Sequence, residues 1–392
     1  MNIADLLRGY DLANLTVGVL GGHSALDVSH GAKKHGFRTV CIARKGRERT
    51  YTEYFRTKDE GLRTKDLGRR TRDSIGCIDE VIVVDNFEDI LNKDIQEKLR
   101  KLNTIFIHNR YFWVYFSDFA KVEHELRLPI FGSRSLLKIE ERDQHFSQYD
   151  LLSVAGIRAP RMFKSPADID GPVIVKASEV QRKYERAFFI VNSAAQWEKE
   201  GTRMEKEGKV SSAWRKATIE EFVMGAPVNF NFFSSPLTGQ LELLGTDMRR
   251  QTNLDGFLRM LGSEQEKVLK AGIDLKMIET GHVACTVKES LLEKAFEIGE
   301  RFVSATKNLS PEIDPSGKGI IGPFALQGAV VAEDGREDIV IFDVSMRIPG
   351  SPGTFATPYT RYLYGETMSV GERIGMEIRR AVEEGRVEEI VT

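Results

Sequence analysis

Cysteine is scarce in this chain. Three of 392 residues are cysteines (Cys41, Cys77 and Cys285), and their spacing matches neither a metal site nor a redox motif. They suit a reducing cytosol, where they sit as small apolar side chains. Net charge is nearly absent as well: 56 basic side chains oppose 58 acidic ones, for a formal charge of -2. Bulk electrostatics therefore provide no pull toward nucleic acid. No run is apolar and long enough to span a membrane, and the opening MNIADLLRGYDL lacks the apolar core of a signal peptide. Internal repeats and low-complexity segments are missing too. These absences lead us to expect a cytoplasmic protein with small-molecule partners, no membrane and no nucleic acid. What is present, 41% hydrophobic and 29% charged residues, is ample for a buried core and for two or three domains or subdomains.

The most informative stretch is 322–359. Two β-type runs, 324–331 and 339–347, flank the turn signal Glu333, Asp334, Gly335, Arg336 and predict a hairpin. Side chains alternate along a strand, so Asp343, Ser345 and Arg347 share one face, and Val340, Phe342, Val344 and Met346 share the other. The first run carries one polar side chain, Gln327. A two-residue loop would put Gln327 on the face opposite Asp343; an odd loop with Gly335 at positive φ would put both on one face. We expect the odd loop, because two oxygen-bearing side chains on adjacent strands make a platform for Mg²⁺ and polyphosphate. The competing reading is a hairpin with one solvated face. The Gly/Pro-rich segment 349–353 favours function, since bare backbone approaches ligands closely.

Elsewhere, residues 15–20 read as a buried strand running into Gly21, Gly22, His23 and Ser24, then a helix to about 35 and a strand at 39–43. This βαβ opening predicts a parallel, Rossmann-like sheet, although its first turn is not GxGxxG. Ser24 and Asp27 have capping-box spacing. His23 and Ser24 at a helix N-terminus would favour an anion such as a phosphate, unless Ser24 only caps and His23 is a surface turn residue. Strands are expected at 81–84 and 104–108, with an amphipathic helix at 89–101 between them. The second strand runs into Arg110 and Tyr111, and parallel sheets bind ligands at strand carboxyl ends. Residues 136–155 read as a helix, and 172–176 as a strand ending in Lys176. A further strand is expected at 188–191, followed by a helix capped by Ser193 and Gln196. Glu220 and Glu221 before Gly225 suit either a nucleotide-reading hinge or an ordinary strand end. Residues 230–233 and 241–246 read as strands and 247–256 as a polar loop. Thr286 with Glu289, and Ser369 with Glu372, have capping spacing for two long helices.

Taken in order, HSAL (23–26), YTEYF (51–55), GIRAP (156–160), PVIVK (172–176), EEFVMG (220–225), NLD (253–255), KESLL (288–292), GPFAL (322–326) and MSVGERIGMEIRRA (368–381) form a series. It resembles the archaeal formate-dependent ATP-grasp ligases of purine synthesis, the PurP family, over nearly the whole chain. The resemblance implies a mixed α/β and α+β architecture. A Rossmann-like pre-ATP-grasp domain would occupy 1–133 and an ATP-grasp region 134–392, with a lid subdomain near 157–222 and a C-terminal subdomain near 223–392. It implies ATP, formate and 5-aminoimidazole-4-carboxamide ribonucleotide (AICAR) as substrates, with Mg²⁺ or Mn²⁺. His23 and Asn253 would contact the nucleotide substrate beside Ser24, Lys176 and Glu221 would hold ATP, and Gln327 and Asp343 would sit at metal positions. Related ligases form trimers or hexamers, so a homo-oligomer is expected.

The chain departs from the family pattern in three places. The lid after Lys176, 177–186, contains no glycine, so either Arg182 and Lys183 would clamp phosphate in place of bare backbone or phosphate binding is lost. Tyr111 stands where the family has a substrate-contacting serine. Gln327 offers a neutral oxygen at a carboxylate position. Beside the AICAR ligase, these departures keep open a paralogous ligase joining another carboxylate to another amine, and a nucleotide-binding protein without catalysis.

Overall fold

The computed structural model describes residues 2–58, 75–141, 144–177, 188–273, 275, 278–333 and 335–392. Arg182 and Lys183 lie outside the described residues, as does the rest of the loop 178–186.

The first sheet is built from β1 (Thr16–Leu20), β2 (Arg38–Arg44), β3 (Glu80–Val84), β4 (Thr104–Ile107) and β5 (Ile130–Phe131), in the order β3-β2-β1-β4-β5. Every pairing is parallel. β1 and β4 are buried at every position, as a sheet covered on both faces demands. The Rossmann-like expectation holds. A second sheet comprises β6 (Met162–Phe163), β7 (Val173–Lys176), β8 (Phe188–Val191) and β9 (Thr218–Glu221), in the order β6-β9-β7-β8. The third comprises β10 (Ala226–Ser234), β11 (Leu241–Gln251), β12 (Glu279–Cys285), β13 (Gly322–Glu333) and β14 (Arg336–Ser345). Its order is β12-β11-β10-β13-β14 and it is antiparallel throughout.

The chain's last segment ties the first and third sheets together. The helix Val370–Glu383 starts at a capping box of Ser369 and Glu372, as expected. Its Val370, Ile374, Ile378 and Ala381 join Val17, Val19, Val28, Phe233 and Leu244 in one core cluster. Beyond it, Thr392 exchanges backbone hydrogen bonds with Ile130 at 2.8 and 3.1 Å.

Five local expectations are corrected. The hairpin loop is short: Glu333 pairs with Arg336, so only two residues intervene. Gln327 nevertheless faces Asp343, because a register shift at Gln327/Gly328 leaves Phe342 without a partner and restores the parity. Ser24 makes no side-chain cap; its hydroxyl donates to the Pro349 carbonyl at 2.8 Å, and Asp27 accepts from the Gly371 amide at 3.0 Å. Residues 136–155 form a 3₁₀ turn, Arg134–Glu140, then a separate helix Gln148–Val154, which a Ser147/Asp150 capping box starts afresh. Thr286 caps nothing: a 3₁₀ turn Glu289–Leu291 opens the helix Leu292–Lys307, and the Val287 amide is held by the Tyr359 hydroxyl. Residues 247–251 belong to β11, because polar β12 pairs with them, and 252–257 are helical.

Candidate active site

The antiparallel sheet presents a polar face. Asp247 pairs with Asn229, Asn229 with Gln327, and Gln327 with Asp343, so four strands place oxygen-bearing side chains in one transverse row. A cavity of about 200 Å³ opens over this face. Asn229, Asp247 and Gln327 line it, with Ser345 and Arg347 from the end of the hairpin. His23 and Arg110 line it from the carboxyl ends of β1 and β4.

His23 reaches the cavity on a strained turn. Gly22, His23 and Ser24 have φ of 143°, 26° and 71°, a left-handed run that costs free energy at the two non-glycine positions. Close contacts hold the turn in place. A Cβ on Gly22 would lie 2.2 Å from the Tyr111 ring, and one on Gly350 would lie 2.6 Å from His23 Nε2. A Cβ at either place would push the opposing ring aside. Burial, and then the guanidinium groups of Arg347 and Arg110, push the His23 pKa down to about 3. His23 is therefore neutral and acts as a hydrogen-bonding group. The arginines that line the cavity are Arg110, Arg249 and Arg347.

Tyr111 and Asn253 do not line the cavity. The Tyr111 ring packs against Tyr115 and Phe87, with centroids at 4.8 and 5.2 Å, and backs the His23 turn. Asn253 is exposed in the helix Thr252–Phe257. Lys176 and Glu221 sit apart on the second sheet. Lys176 Nζ bonds Glu220 at 2.6 Å, and Glu220, fully buried, also accepts from the Tyr149 hydroxyl. The Glu221 carboxylate accepts from the Arg161 amide at 3.1 Å. Of the two adjacent carboxylates, Glu220 is the one that meets the lysine.

Gln327 and Asp343 offer one amide and one carboxylate oxygen to a cation. Here the Arg249 guanidinium takes that place. It donates to Gln327 Oε1 and lies 3.5 Å from Asp343 Oδ2. Among the described residues there is no group of three or more His, Cys, Asp or Glu side chains able to hold a metal. The donor set fits a magnesium ion that draws its remaining oxygens from water and phosphate, and does not fit a cage of protein carboxylates.

Two family models match the chain: a domain of unknown function (DUF1297) over residues 196–392 and a protein of unknown function (DUF1246) over residues 17–163. The 5-formaminoimidazole-4-carboxamide-1-(beta)-D-ribofuranosyl 5'-monophosphate synthetase of Methanopyrus kandleri is 34% identical over 391 residues, covering 100% of this chain and 98% of the relative. The chain belongs to the PurP family of ATP-grasp ligases. The solved IMP biosynthesis protein PurP of Thermococcus kodakaraensis superposes with a TM-score of 0.66 at 26% identity, over 96% of this chain and 100% of that one. The fold extends to the ADP-complexed N5-carboxyaminoimidazole synthetase of Staphylococcus aureus, with a TM-score of 0.51 at 11% identity over 86% of this chain and 71% of that one.

In this PurP family member the cavity is also lined by a chain of charged side chains, Asp247, His282 and Glu279, that no sequence motif marks. His282 on β12 bonds Asp247 through Nδ1, and its Nε2 lies 3.0 Å from Glu279. Burial alone would lower the imidazole pKa; the bonds to Asp247 and Glu279 outweigh it and raise the pKa to about 9. Asp247 is likewise opposed by burial, yet bonds from His282, Asn231 and Asn229 hold its pKa below the usual carboxylate range. The one available sequence signal was alternation: Asn229 and Asn231 interleave with Phe230 and Phe232.

A His pKa raised above its unfolded value of about 6.5 contributes stability that is complete below that value and is lost as pH rises through about 9. Denaturant titrations between pH 6.5 and 9.5 should show the wild type losing more stability than His282→Gln. Equal pH slopes would exclude these pairings.

Proposed function

We propose that the chain formylates AICAR with formate and ATP, giving the formamido nucleotide, ADP and phosphate. The observation that carries the reading is one cavity lined jointly by His23, Arg110 and the Gln327–Ser345–Arg347 face, in a chain aligned end to end with a named synthetase. Formate oxygen attacks the γ-phosphorus, ADP leaves, and formyl phosphate forms. The AICAR amine then attacks the formyl carbon, phosphate leaves, and the amine loses a proton. The protein needs no nucleophile of its own. Arg110, Arg249 and Arg347 stabilise negative charge, His23 orients the nucleotide, Lys176 holds ATP beside Glu220 and Glu221, and burial protects the acyl phosphate from water. Magnesium accompanying ATP would be held by Gln327 and Asp343 and would neutralise triphosphate charge.

Phosphate release from ATP and AICAR should depend on formate; release that ignores formate, or needs another acid, rejects this reading. In the same assay His23→Ala should raise the KM for AICAR about tenfold or more, as loss of a substrate hydrogen bond does, and leave that for ATP near wild type. An unchanged AICAR KM would remove His23 from the nucleotide site.

A further inference from the structure

Asn231 lines the cavity, is 1% exposed, and its Oδ1 has no hydrogen-bond partner among the described residues. The orientation of this amide is dictated by its neighbours. Nδ2 donates to Asp247 Oδ1 at 2.6 Å and to the Gly245 carbonyl at 3.3 Å. Both are pure acceptors, so the nitrogen must face them and the oxygen must turn away. His282, donating to Asp247 from the other side, keeps that carboxylate an acceptor. The result is a buried, pre-aligned acceptor that only an N–H or O–H donor satisfies.

Its place in the sheet leaves space for that donor. Asn231 pairs with Ala325, and Ala325 with Ser345. This row lies two residues along the strands from Asn229, Gln327 and Asp343, roughly 7 Å at the usual rise per residue. The alanine leaves room between Asn231 and Ser345. Arg110, Arg249 and Arg347, which also line the cavity, are donors and take the anionic partners.

We infer that Asn231 Oδ1 accepts an N–H of the nucleotide's primary amine, the nitrogen that becomes acylated, and that Asp247 and His282 are positioning residues for it. The inference rests on the proposed reaction. The test pairs kinetics with calorimetry. In Asn231→Leu, kcat/KM for AICAR should fall at least tenfold while KM for ATP stays within twofold; equal losses for both substrates, or none, overturn the inference. His282→Gln should raise the AICAR KM with kcat less affected, and an unchanged KM would remove its positioning role. In the wild type, AICAR should bind at least tenfold tighter than the analogue with hydrogen in place of the 5-amino group. Equal wild-type affinities overturn the inference even where a variant fails to fold. Preferential AICAR binding without formate-dependent turnover would reject the proposed reaction and keep the amine subsite.

Discussion

Asp343→Ala is expected to abolish turnover, with kcat down by about 10³-fold or more, the scale of removing one preorganised electrostatic group from a reacting centre. Asp343 faces Gln327 across β13 and β14, and it ends the transverse row that begins at Asp247. It is the only acid in the Gln327–Asp343 pair. Without it, Arg249 retains Gln327 and Glu279 but loses a neutralising carboxylate 3.5 Å away. The one carboxylate proposed to hold magnesium is gone, leaving only the neutral Gln327 oxygen for the cation. Asp343→Asn, which keeps the shape and loses the charge, should be nearly as inactive. A rate within tenfold of wild type for either variant, with an unchanged circular dichroism spectrum, would remove Asp343 from the magnesium-holding pair.

The second large effect is structural. Gly371, in the first turn of the helix Val370–Glu383, lies against the helix Ala25–Lys34. A Cβ there would sit 2.1 Å from the Asp27 carbonyl oxygen, and a Cβ on Gly31 would sit 2.1 Å from the Gly371 carbonyl carbon. Both obstacles are backbone, so neither helix yields without moving away from the other. Gly371→Val should therefore cost on the order of 3 kcal/mol, the upper end for overpacking. It should also raise the KM for the nucleotide substrate, because the facing helix, Ala25–Lys34, begins at the His23 turn. Denaturant midpoints and AICAR kinetics check the two halves. A variant as stable as wild type would show that the helices separate at little cost.

The hairpin shows how much of the site was legible. Alternation along 339–347 put Asp343, Ser345 and Arg347 on one face, and cross-strand pairing keeps Asp343 opposite Gln327. The route differed: a two-residue loop gives the wrong parity, and a bulge at Phe342 corrects it. A bulge is one residue of register, and the hydrophobic pattern of a buried strand does not record it. The β1 turn behaved similarly. Its position and His23 were readable, but the Ser24 hydroxyl found Pro349 in place of a helix amide, a partner 325 residues away.

Local patterning alone determined the βαβ opening, the Ser369/Glu372 capping box, the strand at 188–191 and the polar front of the last hairpin, because periods of 2 and 3.6 are written between near neighbours. Tertiary structure alone decided that polar β12 pairs with β11, that His282 meets Asp247, and that Asn229 and Asn231 fall in neighbouring transverse rows of the same face. It also decided that Arg249 stands between Gln327 and Asp343. Those contacts link residues on separate strands. Their chemistry is visible one residue at a time, but which side chains become neighbours depends on strand order and register, and those are set by the packing of the whole chain.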